Sequence, residues 1–220
     1  MELFTSSDLD AYKDPAFGGN FANATPTSLL ANFSNGSSVT VSGMNGKDWF
    51  LDPGSFYDTG YGANNFANQW FGDFLQAMNT QSGGAAVLFI TGNEGDLFDV
   101  FRDNGGFAQM SDPNVSYIDT SDAIVSVGLG GFADATARVA DLLEVSPLVL
   151  SSIFRNGIEI SEVAKVNGQV VYSFDGVDSG VLFDDGVDSY SATYVVSIPE
   201  PSSSVFLLLA GISGLARRKR

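Results

Sequence analysis

Hydrophobic positions along this chain change period repeatedly, and each change marks a candidate element. Phe66, Trp70, Phe71, Phe74, Leu75 and Met78 recur at steps of three and four, which predicts a helix over about 64–79 with one broad apolar face. Gly83-Gly84 ends it, and the unbroken apolar run from Ala85 to Ile90 predicts a fully buried strand. Gly92-Asn93-Glu94-Gly95 then turns into a short helix with Leu97, Phe98 and Phe101 on one side, closed by Asn104-Gly105-Gly106. Ser38 to Ser42 alternates as a strand. Val115 to Ile118 and Ala123 to Gly128 predict two more, with a turn at Asp119-Thr120-Ser121-Asp122 between them. A helical pattern covers Asp134 to Glu144. Ser146-Pro147 places a cap and a first-position proline before a second helix, which carries Leu150, Ile153 and Phe154 and stops at Asn156-Gly157. Ile160 to Phe174 is two β-rich runs joined by Asn167-Gly168, the dipeptide that a type I′ hairpin turn favours. Tyr190 to Ile198 alternates as a last strand.

Strands interleaved with short helices predict an α+β fold, a single domain with antiparallel strands and several short helices. Residues 1–36 are rich in Asn, Ser, Thr, Gly and Asp, with Pro15 and Pro26 interrupting any regular run. They read as a loosely ordered lead-in with a turn around Leu29 and Leu30. The body is expected over residues 37–198, and residues 199–220 form a separate tail.

Composition narrows the chemistry. The chain has 220 residues, no Cys and no His, which removes disulfides, Cys/His zinc sites, Cys nucleophiles and imidazole acid–base catalysis. Net charge is −16, and four of the ten basic residues are the last four, so the body repels phosphate backbones and nucleic acid is excluded as a partner. Eighteen Phe, seven Tyr and two Trp supply a folded core rather than a disordered chain. The two helices flanking Ser146 carry one Arg each, Arg138 and Arg155, too few for a DNA-binding helix-turn-helix.

The tail has its own pattern. Val205 to Ala216 reads VFLLLAGISGLA, apolar apart from one Ser, and stops at Arg217-Arg218-Lys219-Arg220. A span needs about 20 apolar residues, so this segment is short even counted from Ser202. The clustered cations belong on the cytoplasmic face, which sets the preceding acidic body outside. Pro199-Glu200-Pro201 precedes the run, and its two prolines fix an extended backbone that stops any helix before the span.

Pro199-Glu200-Pro201, the apolar run and Arg217 to Arg220 together closely resemble the PEP-CTERM sorting domain of bacteria that make extracellular polymeric material. The resemblance implies cleavage near the Pro-Glu-Pro by a membrane-embedded exosortase, a transient stay in the inner membrane, and release or attachment at the cell surface. Ser111-Asp112-Pro113-Asn114-Val115-Ser116, with the aromatic clusters near it, is similar to an uncharacterised cyanobacterial group of such proteins. Met1-Glu2-Leu3-Phe4-Thr5 lacks the basic and apolar regions of a signal peptide, so a leader is expected to be missing from this chain.

The body offers no catalytic constellation. The expectation is a non-catalytic surface or extracellular-matrix protein, with no cofactor and no assigned metal ligand. One alternative is a carbohydrate-binding module stacking sugar on Trp49, Trp70 or the Tyr57 and Tyr61 turn, with extracellular polysaccharide as partner, although core burial is the commoner fate of such rings. A second is a calcium-binding module. Asp175, Asp178, Asp184, Asp185 and Asp188 lie in the near-repeat of Phe174 to Ser179 at Phe183 to Ser189, but their spacing matches neither an EF-hand nor a Gly-rich calcium repeat and reads as a solvated acidic turn. A third is a polysaccharide hydrolase working through paired carboxylates, which need no His; no pair is singled out by spacing.

Overall fold

The structure is a computed structural model describing residues 21, 25–26, 28–34, 36–54, 56–121, 124–176, 183–184, 189–190 and 192–199. Two antiparallel sheets and a set of short helices make up the described part. In the first sheet the order is β1 (Ser28–Asn32), β2 (Ser38–Ser42), β6 (Ala164–Val166), β7 (Gln169–Val171). In the second, β4 (Ile124–Phe132) lies between β3 (Val115–Ser121) and β10 (Ala192–Pro199), and β5 (Ile160–Ser161) adds to the end of β4. A two-stranded ladder joins β8 (Phe183–Asp184) to β9 (Ser189–Tyr190).

Alternation on each strand explains how the sheets meet. Val39 and Val41 of β2 point inward while Ser38 and Thr40 face water. They join Ala164, Val166 and Val171 against Val125, Val127, Leu129, Tyr194, Val196 and Ile198 of the second sheet in one buried cluster. Register holds this face inward, since Val196 pairs with Val127 and Tyr194 with Leu129, and a one-residue slip would turn every one of them to solvent.

A second core, largely aromatic, is built by the helices α1 (Gly46–Phe50), α2 (Phe66–Gln81), α4 (Glu94–Asp103) and α5 (Gly106–Gln109). The start of α1 is fixed by a capping box. The Asn45 side chain accepts from the Lys47 and Asp48 backbone N–H, and Asp48 Oδ2 accepts from Asn45 N at 2.9 Å. Asn65 caps α2, whose Trp70, Phe71, Phe74 and Met78 are all buried. Phe107 occupies the middle, with ring centroids 5.0 Å from Trp49, 5.2 Å from Phe50, 5.1 Å from Phe101 and 5.4 Å from Phe98. Edge-to-face and tilted pairs of this kind add stability beyond their buried area. Its neighbour Gly106 is small of necessity, because a Cβ there would lie 2.4 Å from the buried Phe101 ring.

The remaining helices, α6 (Thr136–Leu142) and α7 (Pro147–Ile153), form a helical hairpin, with Glu144 at positive φ in the connection. Asn167 and Gly168, at φ 50° and 81°, join β6 to β7 in the hairpin expected of the Asn-Gly pair.

Several expectations are corrected. Leu29 and Leu30 do not form a turn; they lie in β1, paired with Val41 and Thr40, because a neighbouring strand supplies the partners that the polar surroundings concealed. Ala85 to Ile90 is no buried strand. It contains the short helix α3 (Val87–Ile90), with Leu88 90% exposed. Gly83 and Gly84, both at positive φ, and the Ser82 Oγ acceptor for Ala86 N satisfy the backbone locally, and a short apolar run has no periodicity to separate the two outcomes. Asp119 and Thr120 are strand residues paired with Ser126 and Val125, so β3 extends three residues past the predicted end, to Ser121. β4 likewise continues through Gly128, Gly130 and Gly131 to Phe132, the rings of Tyr117 and Tyr194 covering Gly128 and Gly131 in place of side chains. Ile160-Ser161 leaves the hairpin run to pair with β4. Among the described residues no helix is long and apolar enough to cross a membrane, and Val205 to Ala216 lies outside them.

Two glycines test the packing. Gly106→Ala is expected to destabilise by about 2 kcal/mol through overpacking at Phe101. Gly72→Ala, inside α2 with nothing within 4 Å of the added Cβ, is expected to stabilise by about 0.5–1 kcal/mol. Urea titration of the two variants checks both signs.

Candidate functional site

The Pro-Glu-Pro string begins at the edge of the described body. β10 pairs with β4 along its whole length, and the last pair is Pro199 with Ile124. Proline is tolerated there because β10 is an edge strand. Glu200, Pro201 and the basic stop Arg217, Arg218, Lys219 and Arg220 lie outside the described residues, as do Asp178, Asp185 and Asp188 of the acidic repeat. Asp175 is exposed, and only the backbone of Asp184, in β8, is described. Among the described residues no group of three or more Asp, Glu, His or Cys comes together.

The aromatic residues considered for sugar stacking separate by burial. Trp49 and Trp70 are 0% exposed, with their rings 5.5 Å apart inside the helical core, and offer no platform. Tyr57 is half-buried against Phe50. Tyr61 is exposed at its rim, and its ring rests on Phe98 at 5.6 Å.

A cleft of about 480 Å³ opens beside the turn that carries these tyrosines, lined by Leu51, Pro53, Asn64, Phe66, Asn68 and Gln69 among others. Side-chain amides fix its wall. Asn65 Nδ2 donates to Asp58 O at 2.7 Å, and its Oδ1 accepts from Asn68 N and Asn68 Nδ2. Asn68 Nδ2 also donates to Gly60 O at 3.0 Å, and Asn68 Oδ1 accepts from Gly62 N at 2.6 Å. Arg102 Nη1 donates to Thr59 O at 2.9 Å and ties the loop to α4. The exposed amides of Asn64 and Gln69 hydrogen-bond no described residue. Sequence reading missed this cleft, because Asn64, Asn65, Asn68 and Gln69 register only as polar positions on a helix start.

A second polar group is sealed inside. Ser111, Asp112 and Asn114 are buried against Ser161 and Glu162. Trp49 Nε1 donates to Ser111 Oγ at 2.7 Å, and that hydroxyl donates to Phe107 O at 2.6 Å. Asn114 N donates to Glu162 Oε2 at 2.5 Å, while Gly130 N donates to Asn114 O and Glu162 N to Gly130 O. Val163 N reaches Met110 O at 2.8 Å. Both amide atoms of Asn114 are buried without a partner, an uncommon cost that the surrounding packing sustains. Asp112 and Glu162 are only 5% and 3% exposed, so this arrangement clamps two segments together rather than presenting a carboxylate pair to a polymer.

Two tyrosines fasten the end of the body. Tyr172 Oη donates to Asp73 Oδ2 at 2.5 Å, and Tyr194 Oη to Phe132 O at 2.5 Å. Burial pushes both phenols above their ordinary value, helped by the Asp73 bond and charge at Tyr172 and by the Glu159 charge at Tyr194. Scans of this chain against protein-family models, curated proteins and solved structures return no match.

Ser111→Ala leaves Trp49 Nε1 buried without an acceptor and is expected to cost about 1–3 kcal/mol, read from the urea midpoint. Because both phenols titrate higher folded than unfolded, their contribution is full below pH about 10 and is lost progressively above it, as the phenols ionise first in the unfolded chain and then in the folded one. Stability measured from pH 8 to 12 is expected to fall above about 10, and Tyr172→Phe with Tyr194→Phe to flatten that fall.

Proposed function

We propose that this chain is an exported cell-surface or extracellular-matrix protein, a single α+β domain followed by a PEP-CTERM sorting segment that an exosortase processes. The observation that carries the reading is the order of the tail: Pro199-Glu200-Pro201, then Val205 to Ala216, then Arg217 to Arg220. A short apolar segment with cations at its end enters the inner membrane with those cations on the cytoplasmic side, and the acidic body stays outside. Its brevity suits a temporary span that cleavage ends.

The body supports a non-catalytic role. The buried Glu162 carboxylate accepts from Asn114 N, and the chain has no His or Cys to act as base or nucleophile. Pro199 is the last paired residue of the β10 ladder, and the two prolines of Pro-Glu-Pro favour an extended backbone, the form a protease cleft grips.

Mass spectrometry of membrane and medium fractions from an exosortase-bearing host is expected to find a mature form ending near Pro199 to Pro201, lacking Val205 to Arg220. Replacing Arg217 to Arg220 by Ser is expected to abolish that shortening. A tagged body found wholly in the cytoplasm sinks the proposal.

A further inference from the structure

We infer that the cleft between the Leu51–Pro53 segment and the start of α2 binds an uncharged, hydroxyl-rich oligosaccharide, with Asn64 and Gln69 as its hydrogen-bonding residues. Among the described residues the lining carries no ionisable side chain although the chain holds 26 acidic residues, so no described side chain there pairs with an ionic ligand. Each free amide offers donors and an acceptor, and a sugar hydroxyl is donor and acceptor at once, so one amide can serve neighbouring hydroxyls. Leu51, 39% exposed, and Pro53 give the apolar surface that the C–H face of a pyranose ring needs. The loop that carries them is closed by Phe56 O accepting from Asp52 N at 2.9 Å.

The volume lies in the range of small-molecule sites, roughly 300–1,000 Å³. The cleft is also preorganised. Asn65 and Asn68 spend their amides on Asp58, Gly60 and Gly62, so the wall is held before a ligand arrives and little ordering is left for binding to offset. Asn64 and Gln69, by contrast, hold their hydrogen-bonding capacity unspent at the opening. The inference goes beyond the export reading and does not need it.

Affinity electrophoresis of the purified full chain in mild detergent tests it, with dextran, maltodextrin or hydroxyethylcellulose in the gel and anionic alginate for comparison. Retardation by at least one neutral polymer and none by alginate is expected. The double variant Asn64→Ala/Gln69→Ala is expected to weaken that binding about tenfold or more, with an unchanged thermal midpoint because neither side chain supports the fold. The near-isosteric pair Asn64→Asp/Gln69→Glu is expected to give the same loss without altering packing. Failure of all three neutral polymers to retard the chain, equal retardation by alginate, or undiminished binding by both double variants overturns the inference. A body confined to the cytoplasm sinks the export proposal and leaves this result standing.

Discussion

A relay of two hydrogen bonds ties α1 to α5 and the segment that follows it: Trp49 Nε1 to Ser111 Oγ, and Ser111 Oγ to Phe107 O. It joins the two rings at the heart of the aromatic cluster through a hydroxyl that is itself buried. An indole N–H sealed in a core must find an acceptor or destabilise the fold by the cost of its lost hydration. Ser111 therefore cannot drift, and the segment that follows it is fixed by the same constraint.

That segment connects the two cores. Ser111 O accepts from Met44 N just before α1, Asn114 bonds Glu162 and Gly130, and Val163 bonds Met110, so helix-side and sheet-side backbone interlock over a few residues. Further ties run in parallel. Lys165 of β6 pairs with Asp48 of α1 at 2.8 Å in a half-buried setting, and the Gln81 amide, at the end of α2, bonds Glu159 and Phe174 backbone. These bonds knit the described body together, although Trp70 Nε1 and both amide atoms of Asn114 are buried without a partner. At the surface, the amides of Asn64 and Gln69 over the cleft hydrogen-bond no described residue.

Burial also redistributes the functional candidates. Trp49 and Trp70 look like sugar platforms by type, yet the relay and the stacking of Trp70 on Phe74 at 5.5 Å commit them to the core. The proposed cleft rests instead on amides that no residue type marks in advance. The tail from Glu200 to Arg220 lies outside the described residues and is read from linear order and charge alone.

Sequence alone determined the elements that local chemistry dictates. The α2 periodicity, the Asn167-Gly168 hairpin, the Ser146-Pro147 helix start and the Gly105 stop are each written in residues a few positions apart. The same holds for the tail, whose Pro-Glu-Pro, apolar run and cations are a local string, and for the exclusion of His and Cys chemistry. Tertiary structure decided whatever depended on distant partners. Leu29 and Leu30 became strand only because β2 lies beside them, and Asp119 and Thr120 because β4 does. The cleft belongs to this second kind, since Leu51 and Gln69 are brought to one opening by Asn65 bonding Asp58 across the intervening loop. A hydrogen bond between residues far apart leaves no periodic trace in the chain, so only the folded arrangement records it.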